Sequence, residues 1–203
     1  MGLIDIEKAI VKLGRPVFTT REIEALTGIS QSATIQTLSQ LEKAGLLLKI
    51  KRGLWCDARR PVNPFDIVPY LLPNQPLYVS FTSALHLHGV IEQIPQITTV
   101  ATLSHSRTIR TKYGTYRLHQ ICKELFDGYD WYKSTGNFLI ASPTKALVDC
   151  VYISGRKGKA FASFPELNLN LIKLAEAKSW ACKIPHPKVR NRVLAELEKL
   201  YSK

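Results

Sequence analysis

The fold of the N-terminal region is decided by residues 19–56, which read TTREIEALTGISQSATIQTLSQLEKAGLLLKIKRGLWC. Thr19 precedes Glu22 by three residues, which is the spacing of a capping box. In that motif the hydroxyl accepts a hydrogen bond from the third helical amide, and the carboxylate accepts one from the amide of the capping residue. Gly28 is a favoured residue for a helix end. The spacing therefore predicts a short helix between Thr19 and Gly28.

A longer helix is predicted to follow directly. Ser30 is a favoured N-cap residue and Gly45 a favoured helix end, so the helix occupies the residues between them. Ile35, Leu38 and Leu41 recur at helical spacing and are predicted to face the core.

Two flanking segments complete this region. Residues 4–13 carry apolar side chains at helical spacing and predict a first helix that ends at Gly14. Leu46–Cys56 alternates in part and contains a basic turn, which indicates two short strands joined as a hairpin. The order of helix, short helix, turn, third helix and basic hairpin is that of a winged helix-turn-helix.

A winged helix-turn-helix places its last helix in the major groove of DNA, where the N-terminal half of that helix reaches base edges. Glutamine can bond adenine through two hydrogen bonds, serine can bond several bases, and basic wing residues bind phosphate or the minor groove. The predicted DNA contacts are Thr20, Arg21, Gln31, Ser32, Gln36, Gln40, Lys43, Lys49, Lys51 and Arg52. A winged helix used only for protein contact is the alternative, since the third helix carries no arginine.

Five of the eleven prolines fall within residues 61–76. Proline fixes φ and lacks a backbone donor, so a long helix or a central strand cannot cross this stretch. We therefore expect a winged helix-turn-helix over 1–60, a Pro-rich linker over 61–76 and a larger, mixed α/β domain over 77–203. The predicted fold class is α+β.

The larger domain contains a strongly basic span. No Asp or Glu occurs between Glu92 and Glu124, and the alternating segment TIRTKYGTYRLHQI (108–121) predicts a hairpin that turns near Tyr113-Gly114. We interpret this span as a second polyanion-binding surface or a docking face for an acidic partner, with a merely solvated strand face as the alternative. The predicted basic surface of this domain consists of Arg107, Arg110, Lys112, Arg117, Lys123 and Lys145.

Residues 138–154, FLIASPTKALVDCVYIS, predict a strand, a turn and a helix. Ser142 suits the N-cap position of that helix, and Pro143 suits its first helical position. Lys145 and Asp149 are four residues apart, so the two side chains can pair on one helix face.

Composition and motifs restrict the classes of function that this protein can have. The 203 residues include 28 Lys and Arg against 16 Asp and Glu, and this formal net charge of +12 favours a polyanionic partner. No apolar run approaches the roughly 20 residues that span a bilayer, and the start MGLIDIEKAI is unlike a signal peptide. The four cysteines are scattered along the chain, which is typical of reduced thiols. We therefore expect a cytoplasmic protein. His86 and His88 have poor spacing for a metal pair on a helix. No catalytic or cofactor motif is present, and we expect no enzyme activity, metal or cofactor.

Three strings behind the winged helix resemble one family. SALHLHGVIEQIP (83–95), ITTVAT (97–102) and especially IASPTKALVDCVY (140–152) are similar to AbiEi-type antitoxins of bacterial type IV toxin–antitoxin systems. The resemblance covers both domains. One departure is Thr144, which stands where the family usually has Glu.

The resemblance implies a DNA-binding repressor of its own operon in an abortive-infection system that acts in phage defence. Its C-terminal domain would antagonise a nucleotidyltransferase-like toxin without a stable complex, and the family carries no catalytic residues over to this chain. The competing hypotheses are a stand-alone transcription factor whose larger domain senses a ligand or partner, and a DNA-acting enzyme.

Overall fold

The computed structural model describes residues 3–72, 74–132, 138–159 and 167–202. Pro73, one of the prolines of the predicted linker, lies outside these ranges. The chain divides into two compact units. The first contains the chain up to Tyr70 together with Thr111–Tyr113, and the second contains Leu71–Arg110 and the chain from Gly114 onward.

The first unit has the order expected for a winged helix-turn-helix, with a three-stranded antiparallel sheet in the order β1-β3-β2. Strand β1 was not predicted from the sequence and pairs with the second strand of the wing. The elements are α1 (Leu3–Leu13), β1 (Val17–Thr19), α2 (Thr20–Thr27), α3 (Gln31–Lys43), β2 (Leu47–Lys51) and β3 (Leu54–Asp57).

The predicted capping box at the start of α2 is present. The Thr19 hydroxyl accepts a hydrogen bond from the Glu22 amide at 3.3 Å, and the Glu22 carboxylate accepts one from the Thr19 amide at 2.7 Å. Gly28 ends the helix in the left-handed conformation with φ of 69°, which a residue with a Cβ adopts only at a cost. These local signals confirm the predicted bounds of α2.

One continuous apolar core holds the first unit together. Buried side chains from α1, α2 and α3 pack against β1, β2 and β3 around the fully buried Phe18 and Trp55. The remaining buried members are Ile6, Ala9, Ile10, Ile23, Leu38, Leu41 and Leu47. The Pro-rich stretch contributes a 3-10 helix over Pro64–Tyr70, which belongs to this unit.

The second unit is built on a mixed six-stranded sheet in the order β6-β7-β5-β4-β9-β8. The central pairs β5–β7 and β4–β9 are parallel, whereas β4–β5 and β8–β9 are antiparallel. Its strands are β4 (Leu77–Val79), β5 (Thr98–Thr102), β6 (Arg107–Thr111), β7 (Gly114–Gln120), β8 (Tyr129–Trp131) and β9 (Leu139–Ala141). Its helices are α4 (Phe81–Leu87), α5 (Pro143–Arg156), α6 (Leu174–Cys182) and α7 (Pro187–Tyr201). Helices and mixed sheets together confirm the α+β class.

Helix α5 is the centre of the second unit. It packs against α4, α6, α7 and β9, and every residue from Thr144 to Ile153 is buried. The predicted cap is confirmed, because the Ser142 hydroxyl accepts a hydrogen bond from the Lys145 amide at 3.2 Å and Pro143 occupies the first turn. Neighbouring elements therefore cover α5 on all sides over residues 144–153, and it exposes no polar face there.

Candidate nucleic-acid interface

Helix α3 presents a polar face to solvent. Thr34, Leu38 and Leu41 are buried and form the stripe that contacts the core. Ile35, which the spacing predicted to face inward, is instead 45% exposed. The predicted stripe was right at Leu38 and Leu41 and wrong at Ile35. Thr34 takes the place of Ile35, because it shares a helix face with Leu38 and Leu41 and its small side chain fits the core.

The side chains of α3 that were predicted to contact bases are exposed. With about 3.6 residues per turn, Ser32, Gln36 and Lys43 lie on the side of α3 opposite the buried stripe. These three side chains are exposed, and so are Gln31 and Gln40. Ser30 occupies the N-cap position, but its side chain makes no capping hydrogen bond. The first turn of α3 therefore carries exposed donors and acceptors.

The wing carries two exposed basic side chains. Arg52 and Gly53 form the turn between β2 and β3, and Gly53 has a φ of 74°, which favours glycine at this position. Lys49 is exposed on β2, with its Nζ 5.2 Å from the centroid of the Trp55 ring. Lys49 and Arg52 are therefore exposed, as a phosphate contact requires.

Lys51 has a different environment from the rest of the wing. Its Nζ donates a hydrogen bond to the Tyr70 carbonyl at 2.5 Å, and partial burial lowers the pKa of its ammonium group. This contact fastens the wing to the 3-10 helix over Pro64–Tyr70. A contact between Lys51 and DNA would compete with it.

The two predicted DNA contacts at the start of α2 differ in exposure. Arg21 is exposed, as a DNA contact requires. Thr20 is buried, and its hydroxyl accepts a hydrogen bond from Trp55 Nε1 at 3.0 Å. The prediction of Thr20 as a DNA contact is therefore corrected, because this side chain satisfies a buried indole donor.

Comparison with known families bears on this first unit. Residues 6–56 match a family described as transcriptional regulator, AbiEi antitoxin. The N-terminal domain is thus similar to this family over the helices and the wing. No curated protein matches the chain. The family match confirms the resemblance over the winged helix and supports a DNA-binding regulator or antitoxin in general.

Outside the residues that match this family, most of the predicted basic surface is exposed on β6, β7 and the turn that follows. Arg107 and Arg110 lie on the edge strand β6, Arg117 on β7 and Lys123 in a 3-10 helix. Lys112 is exposed as well and belongs to the Thr111–Tyr113 segment that groups with the first unit.

Lys145 does not belong to this surface. Its side chain is fully buried and forms an ion pair with Asp149, which confirms the predicted pairing but corrects the predicted exposure. Lys145 Nζ also donates to the Tyr78 hydroxyl at 2.9 Å, and Asp149 accepts from Tyr78 at 3.1 Å and Ser80 at 2.7 Å. Burial and the neighbouring Asp149 raise the pKa of Tyr78 well above its usual range. These four residues, the buried polar cluster, make a satisfied network rather than a contact surface.

Two further basic residues extend the positive field around β7. Arg156 and Lys157, from the run RKGK, lie at the end of α5, and Arg156 donates to the Gln120 carbonyl at 2.9 Å. The ring of His119 on β7 stacks edgewise on Phe81, with centroids 4.8 Å apart. Burial and the charges of Lys157, Arg117 and Arg156 lower the pKa of His119 to about 4.

This lowered pKa predicts a pH-dependent stability. Between pH 6.5 and about 4 the unfolded chain protonates this imidazole while the folded chain does not, so the free energy of unfolding should fall as the pH drops through that window. The contribution of His119 is fully present above pH 6.5. Urea unfolding at several pH values checks this, and His119→Gln should flatten the dependence, whereas His105→Gln at an exposed position should not. Equal slopes for parent and His119→Gln would contradict the assignment.

An aromatic groove of about 600 Å³ opens beside the N-terminus of α5. Tyr129 and Tyr132 on its wall are held by stacking on Tyr78 and Phe138, with ring centroids 4.5 Å and 5.0 Å apart. The lining residues with aromatic rings or carboxylates are His88, Tyr129, Trp131, Tyr132, Trp180, Asp130 and Glu176. The volume lies in the usual range of small-molecule sites.

Two absences hold for the described ranges, 3–72, 74–132, 138–159 and 167–202. Within them, no cluster of three or more His, Cys, Asp or Glu side chains could hold a metal ion. Over the same residues, no helix is long and apolar enough to cross a membrane.

Proposed function

We propose that this protein represses its own operon by binding inverted repeats in the promoter, and that it also acts as the antitoxin to a nucleotidyltransferase-like toxin. The observation that carries the proposal is the exposed polar face of α3 next to an exposed basic wing, in a domain that matches AbiEi regulators. One winged helix covers a half-site, so an inverted repeat takes two copies.

The proposed DNA contacts fall into two groups, those to bases and those to phosphates. Gln31, Ser32 and Gln36 supply the amides and hydroxyl that discriminate bases, since Gln can bond adenine through both its donor and its acceptor. Lys49 and Arg52 supply charge to the phosphates, which adds affinity without sequence choice. Base choice is therefore assigned to α3 and general affinity to the wing.

Two substitutions test this division. Gln36→Ala is expected to cost about 1–3 kcal/mol on the operator and to relax specificity at one base pair. Arg52→Ala is expected to weaken operator and unrelated DNA alike and to make the salt dependence shallower by about one unit of slope. Titrations of both DNAs at several salt concentrations measure these effects. Gln96→Ala and Lys188→Ala, at exposed positions of the second unit, are the matched controls.

One result would contradict this assignment of roles to α3 and the wing. If Gln36→Ala and Arg52→Ala both bind the promoter and random DNA as the parent does, α3 and the wing do not recognise the operator. A winged helix used for protein contact would then account for the exposed face of α3.

Toxin antagonism is assigned to the second unit. This assignment rests on the resemblance of IASPTKALVDCVY to the antitoxin domain, and the exposed arginines of β6 and β7 are the residues that would carry it. A stable complex with the toxin is not required by this proposal. Cytoplasmic location follows from it, because repression and antagonism both take place there.

A second function, ligand sensing by the larger unit, is favoured by the aromatic groove. Four aromatic residues line it, and Asp130 and Glu176 add carboxylates, a combination that suits a planar organic cation through stacking and cation–π contact. Berberine is a suitable probe. We expect it to quench tryptophan fluorescence in the parent and to quench Trp131→Ala much less, with Glu92→Gln as a control outside the groove. Absence of quenching at millimolar berberine would refute this function.

A further inference from the structure

Ile35 is an apolar side chain on a part of α3 that is otherwise polar. It is 45% exposed, although helical spacing alone would place it in the core. With about 3.6 residues per turn, Ile35 lies about a quarter turn from the middle of the buried stripe and borders the exposed face of Ser32 and Gln36. Ser32 stands three positions before Ile35, so the two side chains are neighbours on the helix surface.

The position of Ile35 along α3 also brings it towards base edges. It is the fifth residue of this 13-residue helix and belongs to the N-terminal half, which lies nearest the bases in a helix-turn-helix complex. Gln31, four positions earlier, and Gln36, the next residue, are both exposed and are the proposed base contacts. A helix that brings these two glutamines to base edges therefore brings Ile35 into the groove with them.

The chemistry of the major groove selects one contact for this side chain. Base edges there present hydrogen-bond donors and acceptors, which an isoleucine cannot use, and one apolar group, the C5-methyl of thymine. Contact between that methyl and an aliphatic side chain removes apolar surface of both from water. A β-branched side chain in a helix keeps essentially one χ1 rotamer, so Ile35 loses little conformational freedom on contact. Single exposed apolar residues are common, and it is the place of Ile35 among base-contacting side chains that singles it out.

We propose that Ile35 is a specificity-determining residue that recognises thymine in the operator through van der Waals contact with its C5-methyl group. This inference rests on the proposed promoter binding and adds a second kind of selectivity to it. Glutamine and serine discriminate bases by hydrogen bonds, whereas Ile35 discriminates thymine from a base with the same hydrogen-bonding groups that lacks the methyl. Uracil is that base.

Uracil interference on the protein's own promoter tests this contact. Promoter fragments in which a fraction of the thymines is replaced by uracil are incubated with the full chain, bound and free DNA are separated, and cleavage at uracil shows which methyl groups binding requires. The parent is expected to show interference at a thymine of each half-site, with about a fourfold loss of affinity per methyl, the factor that burial of one such group gives. Ile35→Ala is expected to bind the unsubstituted promoter more weakly by at least a similar factor and to lose the interference at that thymine.

Three variants serve as controls. Ile35→Val keeps a β-branched side chain and should keep the interference. Gln36→Ala should weaken promoter binding but still require the same thymine methyl. Ile4→Ala removes an exposed isoleucine (65%) from α1 and should bind as the parent does. Ile35→Ala itself should leave the melting temperature unchanged or slightly raised, because alanine is the better helix former at an exposed position.

The results distinguish this role of Ile35 from the proposed function. The role is overturned if the parent binds the promoter specifically and shows no uracil interference, or if Ile35→Ala keeps the interference pattern of the parent. Promoter binding stands in both cases, since the Gln36 and Arg52 variants test it separately. If the parent does not distinguish its promoter from random DNA, the proposed function and the role of Ile35 fail together.

Discussion

Replacing Asp149 with Ala is expected to lower the free energy of unfolding by about 3–5 kcal/mol, because it leaves the Lys145 ammonium group buried without its counter-ion. Both side chains are fully buried, so bulk solvent does not reach the ammonium group to compensate for the lost carboxylate. The hydroxyls of Tyr78 and Ser80 lose their acceptor in the same step. Urea unfolding followed by circular dichroism measures the change.

Two controls isolate burial as the cause. Lys178 and Glu198 also form a Lys–carboxylate pair, with an Nζ to Oε1 distance of 2.8 Å, but both are exposed. Lys178→Ala should therefore cost less than about 1 kcal/mol. Lys145→Met with Asp149→Leu removes both charges together and should recover much of the stability that Asp149→Ala loses. A loss for Asp149→Ala no larger than that for Lys178→Ala would contradict the role of the buried polar cluster.

Reversal of Arg107, Arg110 and Arg117 to Glu is expected to abolish toxin antagonism while stability barely changes. Each arginine is exposed, and isolated surface charges contribute under about 1 kcal/mol to folding. The reversal replaces three positive charges by negative ones on two neighbouring strands, so an acidic partner or a nucleic acid should be repelled. Protection of cells from the cognate toxin and the melting temperature are the two measurements.

A matched triple reversal at Lys173, Lys188 and Lys199 changes the net charge equally at exposed positions of α7 and the residue before α6. This control should keep its protection. Full protection by the arginine variant, or loss of its fold, would contradict a functional basic surface. Arg107 and Arg110 would then remain as charges on the edge strand β6 that prevent strand pairing.

Local chemistry made much of the first unit predictable. The capping box of Thr19 and Glu22, the left-handed Gly28 and the basic turn at Arg52 are decided by a few neighbouring residues, and each is found where the spacing predicts it. The turn before α5, with Ser142 and Pro143, is of the same kind. Such signals need no knowledge of the rest of the chain.

Exposure was less predictable, because it depends on which elements cover a helix. Helical spacing predicted that Ile35 faces the core, yet the packing of α1 and α2 against α3 selects the line through Thr34. Thr20 carries a hydroxyl suited to DNA, and only the approach of Trp55 shows that this hydroxyl is already used. Lys51 lies in the basic segment of the wing, but its ammonium group donates a hydrogen bond to the Tyr70 carbonyl.

The amino-acid sequence by itself determined the helices and hairpin of the winged domain, its AbiEi likeness and the four-residue pairing of Lys145 with Asp149. Caps, turns and helical spacing depend on residues a few positions apart, which is why these features could be read directly. The tertiary structure decided that this pair is buried, since Tyr78 and Ser80 come from a region some 70 positions earlier. It also decided the order of the six strands and which side chains remain exposed, because sheet pairing and burial depend on contacts between segments far apart in the chain.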